Sequence, residues 1–179
     1  MTPAQKLTLR THLLANQTQL AFSGGTATIA SVFGAESLNS GDAALIAEWY
    51  TLPTSPAFYA WAYTRSRMDN RRAVMNTAGA GNQLDALTGG KREALLWCLD
   101  DTLDCRLASV RTTIDDLCGS QNTLKAAILD SFKRIVTNVQ KVFCTGTGSL
   151  VTPADNTTNG GYEGSVTGDE ISDIKGLPA

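Results

Sequence analysis

The sequence predicts a mainly α fold: a helical bundle domain over residues 1–143 holding one short extended segment, then a long irregular C-terminal arm over residues 144–179. Three observations lead there. Between Lys91 and Phe143 apolar residues recur every three or four positions, the period of a helix with one buried face. Leu52-Pro53-Thr54-Ser55-Pro56 interrupts any helix, and the aromatic run Phe58 to Tyr63 behind it suits a single extended segment. After Phe143 the composition shifts: seven of the sixteen glycines lie there, from Gly146 to Gly176, with Pro153 and Pro178 among them.

The elements follow in order. Thr2 is a fit N-cap, Pro3 suits the first helical position and Gln5 can close a capping box, so a helix runs from there to about Asn16. Its inward face is expected to carry Ala4, Leu7 and Leu14, with Leu13 beside them. A short helix is expected over Thr26–Phe33, and a third from about Asp42 to Tyr50, capped by Ser40 or Asp42, with Leu45, Ile46 and Trp49 inward. Arg65, Arg67, Arg71 and Arg72 read as a solvated helix face, with a basic contact surface as the alternative. Leu84 and Leu87 mark a brief apolar turn between glycine pairs.

The next helix spans Lys91–Leu99, with Trp97 and Cys98 widening its apolar stripe. Asp104 is the expected N-cap of a helix carrying Leu107, Val110, Ile114 and Leu117, which Gly119 stops. The last and longest helix is expected to run unbroken from Ser120 or Asn122 to Phe143. These three would form an antiparallel hairpin-linked bundle. The arm holds too little apolar material to fold alone, so its order is expected to require a neighbouring molecule. Removing residues 146–179 should then leave a folded helical body that no longer assembles.

Bulk properties narrow the function classes. The net charge of −2 and pI near 5.3 give no strongly basic surface for nucleic acid. Charged residues make up 18%, against about 25% in a typical soluble domain, which fits surface covered by partners and equally fits ordinary compositional scatter. No apolar run reaches the roughly 18–20 residues of a membrane span, and no signal peptide is read, so the expectation is cytosolic assembly with no membrane. Cys98, Cys105, Cys118 and Cys144 are spaced by 7, 13 and 26 residues, unlike a zinc site, and read as reduced thiols. Asn156-Thr157-Thr158 matches a glycosylation acceptor, which carries little without a secretory signal.

Chemistry has few footholds. His12 is the one histidine and lies mid-helix with no adjacent partner, so a solvent-facing or capping role is expected. Asp100, Asp101 and Asp104, then Asp115 and Asp116, pair carboxylates at helix ends, where acids complement exposed amides. Gly24-Gly25 and Gly146-Thr147-Gly148 lack the strand-to-helix setting or the lysine of phosphate loops. The sequence therefore assigns no catalytic, cofactor-binding or metal-binding residue, and no cofactor.

Lys141-Val142-Phe143-Cys144-Thr145-Gly146-Thr147-Gly148, then Pro153-Ala154, then Tyr162-Glu163-Gly164-Ser165-Val166-Thr167-Gly168-Asp169-Glu170-Ile171, resembles the C-terminal portion of tailed-bacteriophage neck proteins. Ser55-Pro56-Ala57-Phe58-Tyr59-Ala60-Trp61 and Asn82-Gln83-Leu84-Asp85-Ala86-Leu87-Thr88 extend the likeness over roughly residues 42–175. The chain departs from that family at Lys141-Val142, where an acidic residue commonly precedes the phenylalanine, and at Ala62, where a charged residue commonly follows the aromatic segment. The resemblance implies a head–tail adaptor (connector) protein, a structural virion subunit and not an enzyme. It implies a homo-oligomeric ring, a dodecamer in that family, in the neck of a virion assembled in the host cytoplasm. The expected partners are copies of itself, the portal protein, and tail or stopper proteins, with DNA passing through the lumen without sequence-specific binding. Phe143, Gly146, Gly148, Pro153, Tyr162, Glu163, Gly164 and Ile171 are the expected assembly-arm residues. Another neck or tail-completion ring protein, or a small helical regulatory or binding module or, further off, a small helical enzyme, is the alternative.

Overall fold

A computed structural model describes residues 1–177 of the chain; Pro178 and Ala179, the end of the expected arm, lie outside the described residues. The fold is mostly helical, 53%, with ten α-helices among the described residues. The helices are α1 (Pro3–Ala15), α2 (Ile29–Gly34), α3 (Ser40–Thr51), α4 (Arg67–Asn76), α5 (Ala80–Asp85), α6 (Lys91–Asp100), α7 (Ala108–Cys118), α8 (Asn122–Ser131), α9 (Asn138–Val142) and α10 (Gly168–Lys175). The strands are β1 (Gln19–Phe22), β2 (Gly25–Thr28), β3 (Tyr59–Trp61), β4 (Lys133–Ile135), β5 (Cys144–Thr145) and β6 (Asp155–Asn156). They pair two by two in chain order, β1 with β2, β3 with β4 and β5 with β6.

The chain forms two compact units. The first comprises 1–58, 135–149 and 156–179; the second comprises 59–134 and 150–155. The division therefore does not fall at residue 143.

In the first unit α3 is packed by α10 and α9, while α1 packs on α2, α9 and α10. The predicted start of α1 forms as a capping box: the Thr2 hydroxyl accepts from the Gln5 N–H and the Gln5 side chain accepts from the Thr2 N–H. Its inward face differs from the expected one. Leu9 and Leu13 are fully buried, whereas Leu7 and Leu14 are 50% and 45% exposed. Leucines stand on both sides of this helix, so the helical period alone did not say which side faces the core. Residues 26–28 are not helical. Gln19–Phe22 and Gly25–Thr28 form an antiparallel hairpin with Phe22 opposite Gly25, and α2 begins only at Ile29, capped by Thr28. Asn39, not Ser40 or Asp42, caps α3 by accepting the Asp42 N–H at 2.8 Å. Asp42 instead ties the hairpin down, accepting from the Ser23 N–H and hydroxyl, each at 3.0 Å. Ala43, Ile46, Ala47 and Tyr50 are buried from α3, while Leu45 is not.

In the second unit α8 is the central element, contacted by α4, α5 and α7, and α6 packs on α7 and α4. Leu95, Leu99, Ile114, Leu124, Ile128 and Phe132 form its core. Asp104 does not cap α7. Its carboxylate accepts from the Arg106 N–H and guanidinium, and the helix starts one turn later at Ala108. Gly119 ends α7 with φ of +56°, a conformation that favours glycine.

The expected long final helix is broken. α8 stops at Ser131, Lys133–Ile135 becomes β4, and α9 restarts at Asn138. The β-branched run Ile135-Val136-Thr137 favours extended backbone. Thr137 and Gln140 then close a second capping box. That threonine-to-glutamine spacing was the signal of a new helix start.

The long irregular arm does not form. Residues beyond 143 include β5, β6 and α10, and Val166, Ile171 and Ile174 are buried in the first unit's core with Leu9, Leu13, Tyr50 and Phe143. A third capping box, Thr167 with Glu170, starts α10. Two isoleucines three apart suffice to bury one side of an eight-residue helix. This segment thus packs on its own chain, and its order does not require a neighbouring molecule.

Candidate functional site

The residues expected to carry assembly serve internal roles. Phe143 is buried, with its ring centroid 5.4 Å from that of Tyr162. Gly146 lies in the turn after β5. Gly148, with φ of +65°, lies against Phe58, whose ring occupies the space that a Cβ would take. Pro153 belongs to the second unit and precedes Ala154, which donates to the Tyr59 carbonyl at 2.8 Å and accepts from the Trp61 N–H at 3.1 Å. Tyr162, Glu163 and Gly164 form a turn in the first unit, and Ile171 lies on α10.

That turn is organised by Asn156, which is fully buried. Its side-chain oxygen accepts the Tyr162 N–H at 3.0 Å, and its amide donates to the Tyr162 carbonyl at 2.9 Å and Glu163 Oε1 at 2.7 Å. Gln140 donates to the Glu163 carbonyl at 3.1 Å, and Gln5 to the Gly161 carbonyl at 2.7 Å. Both glutamines also close capping boxes, so the side chains that start α1 and α9 hold the returning chain. Sequence reasoning saw Asn156 only as a glycosylation acceptor, a role its burial and full set of bonds do not suit.

His12 leaves its ring largely exposed, yet its Nδ1 lies 2.8 Å from the buried Tyr50 hydroxyl. Asn16 Nδ2 donates to the Tyr50 oxygen at 3.1 Å, so the phenol proton is free to donate to a neutral His12. Burial of that edge, then the Lys141 charge, lowers the His12 pKa, and burial raises that of Tyr50. The acidic pairs are occupied. Asp100 binds Arg71 through two contacts, at 3.0 and 2.6 Å, and Arg67 at 3.3 Å; Asp115 binds Lys125 at 2.7 Å. All four cysteines are free thiols, and burial raises the pKa of Cys118 to about 11 and that of Cys105 to about 12. No group of three His, Cys, Asp or Glu residues among the described residues is placed to hold a metal ion, and no described helix is long and apolar enough to cross a membrane.

The surface that stands out belongs to the second unit. Trp97, expected to widen the inward stripe of α6, points outward and is 85% exposed. It borders a groove of about 630 Å³ between α6 and α7, floored by Cys98, Leu103 and Leu117 and edged by Asp100 and Asp101. On α4 a second groove, of about 670 Å³, runs past Met68 and Met75 with Arg67, Arg71 and Arg72 around them. Met75 is 82% exposed. Scattered exposed apolar groups are ordinary, but a tryptophan at the edge of one apolar groove, and methionines with arginines around them at the other, are side chains that protein interfaces favour. The sequence gives a partial signal for it: Trp97 lies two positions from the buried Leu95 and Leu99, about 200° around the helix.

No protein-family model, curated protein or solved structure matches the chain.

Proposed function

We propose that this protein is a structural subunit of a tailed-bacteriophage neck, a head–tail adaptor that assembles as a ring beneath the portal and lines part of the DNA channel. The observation that carries the reading is the 85% exposed Trp97 at the mouth of the α6–α7 groove. A large aromatic beside an apolar trough is an anchor that gains most when another protein covers it. The resemblance of residues 42–175 to neck proteins gives that surface its setting. The C-terminal segment is held by its own chain, with Val166, Ile171 and Ile174 in the core of the first unit.

On this reading the function is mechanical and involves no cofactor or catalysis. Contacts to copies of itself, to the portal and to tail or stopper proteins hold two machines coaxial, in the neck of a virion assembled in the host cytoplasm. The acidic balance of the chain suits a lumen through which DNA slides, since basic surfaces are what hold phosphate. The test is the native mass of the purified full chain, alone and with the portal ring. The reading expects an oligomer that binds the portal. A monomer that leaves the portal unbound would refute it.

A further inference from the structure

The exposed edges of α4 and α6 are opposite in charge and alike in apolar character. On α6, Glu93 and Trp97 stand four apart on one exposed face, and Asp101, the extended residue that caps the helix, lines the same groove as Trp97, so the indole has acidic neighbours. On α4, Met68, Arg72 and Met75 follow at spacings of four and three, giving a basic line between two thioethers. Within the chain the two helices already match charge where they meet, through Arg67 and Arg71 on Asp100. Further out the match is unused: among the described residues, neither the Arg72 nor the Glu93 side chain has a hydrogen-bond or ion-pair partner, and both are exposed.

We propose that these two edges are the halves of one self-complementary interface, the acidic tryptophan edge of α6 in one copy seating on the basic methionine edge of α4 in a second copy. Trp97 would lie between Met68 and Met75, whose unbranched polarisable side chains adapt to an aromatic ring. The Glu93 carboxylate would face Arg72. The occupant is a second copy because both halves stand on the same chain with opposite sign, and each is left open by its own fold. Such a surface either closes as a pair or propagates from copy to copy into a ring, depending on the rotation between copies. The proposal rests on reading this face of the second unit as an assembly surface, and not on the portal as a partner.

The experiment is sedimentation and native mass of the full chain and of three variants, Trp97→Ser, Arg72→Glu and Glu93→Arg. The altered side chains are exposed, and circular dichroism will check that each variant keeps the fold. Trp97→Ser should weaken self-association by more than about tenfold, the loss expected for a central aromatic anchor. Each charge reversal alone should weaken it as well, and an equimolar mixture of Arg72→Glu with Glu93→Arg should restore it, because each reversed charge then meets the other. A wild-type chain that stays monomeric, variants that associate like wild type, or a mixture that fails to recover overturns the proposal. Self-association with this pattern but no portal binding would retain the interface and refute the neck reading. Portal binding with no effect of the charge reversals on self-association would do the reverse.

Discussion

Deleting residues 166–179 takes Val166, Ile171 and Ile174 out of the first unit's core, where the two isoleucines are fully buried. Full burial of a valine or isoleucine is worth about 1.5–3 kcal/mol, so the deletion forfeits roughly 5–9 kcal/mol. That is an upper figure, because unfolded chains already bury some apolar surface. It is still comparable with the 5–15 kcal/mol or so that holds a typical domain together. The truncated first unit is therefore expected to lose its cooperative fold. A finer perturbation is Ile174→Ala, which should cost about 2–5 kcal/mol. At 3 kcal/mol the melting temperature falls by roughly 6–12 °C for a chain of this size. Leu7→Ala, at a half-exposed position on α1, is the control and should change stability by less than about 0.5 kcal/mol. Urea titrations followed by far-ultraviolet circular dichroism, with hydrogen exchange of the α3 amides, read all three. A truncated protein with undiminished α3 protection and an unshifted urea midpoint would refute this packing argument and restore the free arm expected from composition.

Two other predictions are sharp. Gly148→Ala should destabilise the first unit by about 2–4 kcal/mol, since it combines a positive φ with a methyl placed on the Phe58 ring; equilibrium unfolding checks it. Burial and Lys141 hold His12 neutral in the fold, so its folded pKa lies below the ordinary value of about 6.5. Below that pH the unfolded chain binds the proton more readily, so this contribution is complete above about pH 6.5 and is lost as pH falls towards the folded value. Unfolding titrations from pH 7.5 downward should show the decline in the wild type and a shallower one in His12→Asn.

Elements coded within a few residues were legible. Thr2-Pro3 with Gln5 started α1, the leucine spacing after Lys91 marked α6, and Gly119 ended α7. The Thr137–Gln140 capping box was equally local, but the apolar period running through it masked the break between α8 and α9. The candidate interface is half legible: Arg67, Arg71 and Arg72 lie exposed on α4 as expected, but Arg65 precedes the helix and donates to the Lys133 carbonyl, and Trp97, expected in the core, is exposed.

What the amino-acid order determined by itself is where a capping box opens a helix, as at Thr2 with Gln5, and where glycine permits a stop, as at Gly119, because those effects are settled within one helical turn. Which side of α1 faces inward, and whether a glycine-rich C-terminal stretch has anything to pack on, was decided only by the tertiary structure. Both depend on surfaces supplied by residues far away along the chain. Asn156 and Ile174 look unremarkable in their local sequence, and they become structural only when Gln5, Gln140 and α3 are brought against the segments that carry them.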